Sequence, residues 1–185
     1  LHIQTITEML LRQLVQKENN RYALSKEQIR MITTASALHD IGKISIPDEI
    51  LNKPGRLTAE EFAVIKGHSM AGANMLSELP LDQKEEPLVK TAYEICRWHH
   101  ERYDGGGYPD GLKGEEIPVS AQVVALADVY DALTSERCYK KAFSHETAIQ
   151  MIQNGECGAF NPVLIECLTE IQDELKNYTQ HLADK

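Results

Sequence analysis

Apolar residues recur at spacings of three and four along almost the whole chain, and no stretch of useful length alternates apolar with polar. That periodicity points to helices and leaves no material for a sheet; Ile44 to Ile46 could pair briefly at most. Leu1 to Gln16 carries Ile3, Ile6, Leu10, Leu11 and Leu14 on one face. Ser25-Lys26-Glu27-Gln28 has capping-box form and opens a helix toward Asp40, which Gly42 and Pro47 end. Thr58-Ala59-Glu60-Glu61 is a second capping box, heading a helix to about Glu78. Pro87 sits where a helix can begin, and that helix carries Ala92, Ile95 and Cys96 toward His99. Ser120 starts another through Val123, Val124, Ala127, Tyr130 and Leu133. Ser144 caps the next, up to Asn154-Gly155. A last helix follows Asn161-Pro162 and fades after Tyr178, leaving 179–185 as a frayed tail. The expectation is a single all-α domain over residues 1–178, a bundle of about six to seven helices.

With 185 residues and a hydrophobic fraction of 42%, the chain can bury one core. Its first residue is Leu1, already in helical pattern, so the domain is expected to be cut from a longer protein. The formal net charge of −9 argues against general binding of DNA or RNA, which demands a basic footprint. A small anion could still bind where metals or a few Lys and Arg reverse the local sign. Cys96, Cys138, Cys157 and Cys167 show no C-x-x-C spacing and read as reduced cytoplasmic thiols, a disulfide being the alternative. No apolar run approaches the roughly 18 residues of a membrane span, and no signal peptide is present, so no membrane insertion is expected.

Two connections are long: Ile41 to Leu57, with Gly42, Pro47, Pro54 and Gly55, and Glu101 to Pro118, with five of the chain's 11 glycines. Loops of that length in a compact domain are usually functional or disordered. The second follows two adjacent histidines, His99-His100. Neighbouring helical residues point about 100° apart, so both reach one cluster most easily at a helix end, where the chain can turn. His39-Asp40 is costly to bury at an apolar helix end unless something binds it. A divalent metal would do so; an Asp that only caps or orients the ring is the alternative. Asp128, within the apolar run VVALADVYDAL, poses the same choice between a metal ligand and a buried ion pair. Asp131, one turn later, is its partner or faces solvent. His68 alone says little. His2, His39, Asp40, His68, His99, His100 and Asp128 together suit a pair of transition metals such as Fe or Mn better than a structural zinc.

LHDIGK at Leu38 to Lys43, IPDEILNKPGRLTAEE, KGHSMAG at Lys66 to Gly72, HHERYDGGGYPDGLKGEEIP and ADVYDALTSERCYKK at Ala127 to Lys141 together resemble an HD-GYP domain, the subclass of HD phosphohydrolases that hydrolyses the bacterial second messenger cyclic di-GMP. The resemblance implies an all-helical, metal-dependent cyclic di-GMP phosphodiesterase with two metals, the third remaining open. It implies His2, His39, Asp40, His68, His99, His100 and Asp128 as ligands, with Asp40 bridging. Lys43 would approach the scissile phosphate, and Arg137 and Lys140 would hold substrate phosphates. Gly107, Tyr108 and Pro109 are the GYP residues. From their place beside the histidines, Tyr108 is expected to contact substrate from a loop that walls the site and ligates no metal. Where relatives often read G-T-H-F-D-P, this chain has CGAFNP at Cys157 to Pro162, a change expected to affect helix capping more than chemistry. Relatives are commonly fused to receiver, sensor or diguanylate cyclase domains, and the apolar first helix could form a homodimer face. A non-catalytic cyclic-dinucleotide receptor, or a phosphohydrolase acting on another nucleotide, are the competing readings.

Overall fold

The computed structural model describes residues 2–18, 21–136 and 141–183. The described residues are helical, with no strand. In chain order the helices are α1 His2–Gln16, α2 Lys26–Ser36, α3 Asp48–Leu51, α4 Ala59–Lys66, α5 His68–Ser77, α6 Leu81–Lys84, α7 Pro87–Trp98, α8 Val119–Thr134, α9 His145–Gln153, α10 Pro162–Glu170 and α11 Gln172–Ala183. Two 3-10 turns, Ile41–Ser45 and Gly114–Glu116, sit in the long connections.

These are more segments than the six or seven expected, because several long helices are divided. The helix headed by Thr58 breaks at Gly67 into α4 and α5. There the His68 ring takes the Ile65 carbonyl, at 2.6 Å. The C-terminal helix breaks at Ile171, a buried residue. It does not fade at Tyr178: α11 continues to Ala183, with the Thr179 hydroxyl bonded back to the Leu175 carbonyl at 3.1 Å. α2 stops at Ser36, so His39 and Asp40 stand beyond it, on successive tight turns.

Both capping boxes form as their sequences imply. Ser25 and Gln28 exchange side-chain and backbone bonds at the start of α2, as do Thr58 and Glu61 at the start of α4. Glu61 also takes the Lys53 ammonium, at 2.6 and 2.9 Å, which ties the Pro- and Gly-containing segment to α4. Asn161 caps α10 through the Val163 amide, so the substitution in the CGAFNP stretch preserves capping.

α8 is the central helix. Val123, Val124, Ala125, Leu126 and Ala127 are consecutive and all buried, so it is covered on every side, by α1, α7 and α9 among others. α1 lays Ile6, Leu10, Leu11 and Leu14 between α2, α8 and α10. α7 packs between α2 and α5. Asp128 and the histidines at the end of α7 are thereby carried on well-buried scaffolding. Leu10 has no exposed surface. Its replacement by Ala should cost about 2–5 kcal/mol of unfolding free energy, measured as a lower urea midpoint at unchanged slope.

Candidate metal centre

His39 and Asp40 are placed by a close approach of two backbones. A Cβ added to Gly42 would lie 1.8 Å from the His68 carbonyl oxygen and 2.5 Å from the Gly72 nitrogen. Only glycine lets the Ile41–Ser45 turn press against α5. The sequence suggests Gly42 as a helix terminator; its larger role is this contact, which brings Asp40 to His68.

His68 opens α5, and His99 and His100 follow the last turn of α7. His39 Nδ1 lies 2.8 Å from the Ser36 carbonyl, His68 Nδ1 2.6 Å from Ile65, and His99 Nδ1 2.8 Å from Ile95. A carbonyl can only accept, so each Nδ1 carries the proton and donates it. In a neutral ring that leaves the Nε2 lone pair free. Those lone pairs converge. His68 Nε2 is 3.4 Å from His99 Nε2 and 3.2 Å from His100 Nε2, and the three offer ligand atoms within 4.8 Å of one another. Neutral rings holding lone pairs this close repel; a shared cation turns the repulsion into ligation. The donor set therefore fits a divalent transition ion.

The carboxylates complete the arrangement. Asp40 Oδ1 faces His68 Nε2 at 3.2 Å and His99 Nε2 at 3.8 Å. Asp40 Oδ2 faces His39 Nε2 at 3.2 Å and Lys43 Nζ at 2.6 Å. Asp128 Oδ1 lies 3.5 Å from His39 Nε2. Asp40 thus stands with one oxygen toward the three-histidine group and the other toward His39, the disposition a bridging carboxylate needs. The Cys96 thiol bonds the Leu38 carbonyl at 3.1 Å, and burial pushes its pKa to about 12, so it supplies no thiolate to this group.

One of the expected positions separates from this cluster, and two cannot be placed. His2 is exposed on the first turn of α1. Its Nδ1 is 3.5 Å from Asp131, and its ring meets the edge of Tyr178, so the expected ligation by His2 does not appear in this arrangement. Arg137 and Lys140 lie outside the described residues. Tyr108 stacks on His100, with ring centroids 4.9 Å apart at 16°.

The loop that carries Tyr108 is anchored by residues not singled out from the sequence. Glu101 is 3% exposed, and its carboxylate accepts the backbone amides of Asp110, Gly111 and Leu112 at 2.7, 3.1 and 3.0 Å. Asp110 in turn takes the Arg97 guanidinium at 2.7 and 3.0 Å and the Trp98 indole at 2.7 Å. Trp98 is thus a loop anchor. A Cβ on Gly107 would come within 2.4 Å of the His100 carbonyl, which accepts the Tyr108 amide at 3.2 Å.

Burial opposes charge throughout the site, and the neighbours decide the result. Burial would lower His39, but hydrogen bonds to Asp128 and Asp40 outweigh it and raise its pKa to about 10. Burial also opposes ionisation of Asp40, yet His39, His68 and Lys43 hold it well below the usual carboxylate range. Asp128 is likewise lowered against its burial, chiefly by His39. Burial, then the charge of His39, push His99 down to about 4; burial with His99 and His68 push His100 to about 2. Two ligand imidazoles are therefore neutral and ready at neutral pH, while His39 must give up a proton to a competing cation.

The HD domain family profile matches residues 2–162. A probable cyclic di-GMP phosphodiesterase of Vibrio cholerae is 40% identical over 191 residues, covering 100% of this chain and 42% of its own length. A 3′3′-cGAMP-specific phosphodiesterase 2 of the same organism is 40% identical over 163 residues, covering 88% of this chain and 30% of its own. The chain thus spans less than half the length of these relatives. The structure of Bd1817, an HDG"Y"P protein from Bdellovibrio bacteriovorus, superposes with a TM-score of 0.67 at 22% identity, over 93% of this chain and 52% of that one; it supports the fold.

Gly42→Ala should lower both metal content and melting temperature, because the new methyl group meets the α5 backbone at His68 and Gly72; elemental analysis and a thermal melt check it. The metal-free protein should also be acid-sensitive. His99 and His100 have folded pKa values below the unfolded value of about 6.5, so their contribution is present at neutral pH and lost as pH falls through that value toward 4. His39 runs the other way: its contribution is full below about 6.5 and is lost as pH climbs toward 10. The two depressed histidines outweigh it between pH 7 and 5, and the melting temperature should fall by roughly 5 °C or more. His100→Gln should narrow that gap; an equal or higher melting temperature at pH 5 in the parent protein would contradict the assignment.

Proposed function

The chain belongs to the HD domain family and is an HD-GYP domain, and from that premise we propose that it is a metal-dependent phosphodiesterase hydrolysing cyclic di-GMP to linear pGpG, with GMP as the product of a second cleavage. The observation that carries this reading is the convergence of the His68, His99 and His100 Nε2 lone pairs beside Asp40. The 40% identity to a probable cyclic di-GMP phosphodiesterase supports the substrate class.

His39, Asp40, His68, His99, His100 and Asp128 would hold two divalent metals, Fe or Mn by the imidazole-and-carboxylate character of the set. What such metals supply when bound is Lewis acidity toward a phosphoryl oxygen and a lowered pKa for water. The chain does the rest. The Ser36, Ile65 and Ile95 carbonyls fix the tautomers of three ligand rings. Asp40, kept ionised by its neighbours, would supply negative charge to hold such metals. Lys43 lies against Asp40 with 36% of its side chain exposed, so its ammonium faces the opening and can meet a phosphate oxygen. Tyr108, stacked on His100, walls one side. Arg137 and Lys140 are proposed as further phosphate contacts on the strength of the motif resemblance alone.

A second reading, a different cyclic dinucleotide as substrate, is favoured by the equal identity to a 3′3′-cGAMP-specific enzyme. Anaerobic loading with Fe(II) or Mn(II), followed by a panel of cyclic dinucleotides, separates the two. Linear product should form, and His39→Ala should lower turnover more than about 100-fold. Full metal occupancy without turnover of any cyclic dinucleotide would reject the enzymatic reading in favour of a receptor.

A further inference from the structure

Lys66 ends α4, and its ammonium differs in its surroundings from five other lysines of the protein. Lys17, Lys43, Lys53, Lys90 and Lys176 each pair with a carboxylate. Lys66 forms no ion pair among the described residues. Its Nζ instead lies 5.3 Å from the ring centroid of Phe62 and 5.5 Å from that of Tyr108. Phe62 is one turn earlier on α4 and 49% exposed. Its amide bonds the Thr58 carbonyl at 2.9 Å, immediately after the Thr58–Glu61 capping box and the Lys53–Glu61 pair, so the ring stands on a fixed turn. Tyr108 is the residue stacked on His100. A cation is thus held between two aromatic faces beside the wall of the metal centre, with no carboxylate to neutralise it, on a protein of net charge −9.

We propose that Phe62, Lys66 and Tyr108 form a second subsite, which holds the non-reacting phosphate and a purine base of a cyclic dinucleotide. A cyclic dinucleotide carries two phosphates and two bases. With one phosphodiester at the histidines, the other phosphate must be placed outside them and needs a positive partner, which Lys66 supplies. The exposed Phe62 ring offers a stacking face to a base. The inference rests on the proposed substrate class and extends it to residues outside the metal centre.

The test compares cyclic di-GMP with bis(4-nitrophenyl) phosphate, which has the scissile diester but no second phosphate, on the metal-loaded protein. Lys66→Met should raise KM for cyclic di-GMP about tenfold with kcat nearly kept, and Lys66→Arg should restore it. Phe62→Ala should raise the same KM. The small diester should lose little in either variant, and metal content should stay level. Unchanged KM for cyclic di-GMP in Lys66→Met, or an equal loss on both substrates, overturns the subsite. If the parent protein cleaves the small diester but no cyclic dinucleotide, the substrate reading falls and the subsite with it; if the parent cleaves cyclic di-GMP and Lys66→Met matches it, only the subsite falls.

Discussion

Three imidazoles whose Nε2 atoms lie 3.2 and 3.4 Å from a shared neighbour in a buried site repel one another unless a cation is shared among them. Much of the surrounding structure serves to hold them there. The rings cannot turn away, because each Nδ1 of His39, His68 and His99 is bound to a carbonyl at the end of a helical segment. Carbonyls at helix ends are thus used to orient the histidine rings. The breaks at Ser36, Gly67 and Trp98, which multiply the helices, are where the histidines stand.

The same constraint explains the charge arrangement. The protein is acidic overall, yet the carboxylates at the site are Asp40 and Asp128, one reaching both groups of histidines and the other set in the most apolar helix. Positive side chains gather at the opening: Lys43 against Asp40, and Lys66 across the ring of Tyr108. The proposed anionic substrate would meet cations at the rim and imidazoles within, and Glu101 keeps the intervening loop in position through three backbone amides.

Much of this was legible in the chain. The period of three and four, the two capping boxes and the buried run around Asp128 dictate helices whose starts fall close to where they are found, because caps and apolar spacing are local properties. His39, Asp40, His68, His99, His100 and Asp128 could be singled out because such groups are expensive inside apolar surroundings. Gly42, Glu101 and Lys66 could not. Their roles depend on which backbone, amide or ring lies opposite, and nothing within a few residues of them says so. The surroundings of His2 were not legible either: the first turn of α1 brings its ring to Asp131, a partner that sequence spacing does not reveal.

By itself, then, the sequence determined an all-helical chain and the residue types able to bind metal, through short-range capping, periodicity and the cost of burying charge. The tertiary structure alone decided which of those residues meet. The pressing of Gly42 onto α5, the close of α7 at His99 and the return of the 101–118 loop are long-range contacts, and only they convert ligand types into a set of atoms with lone pairs aimed at one point.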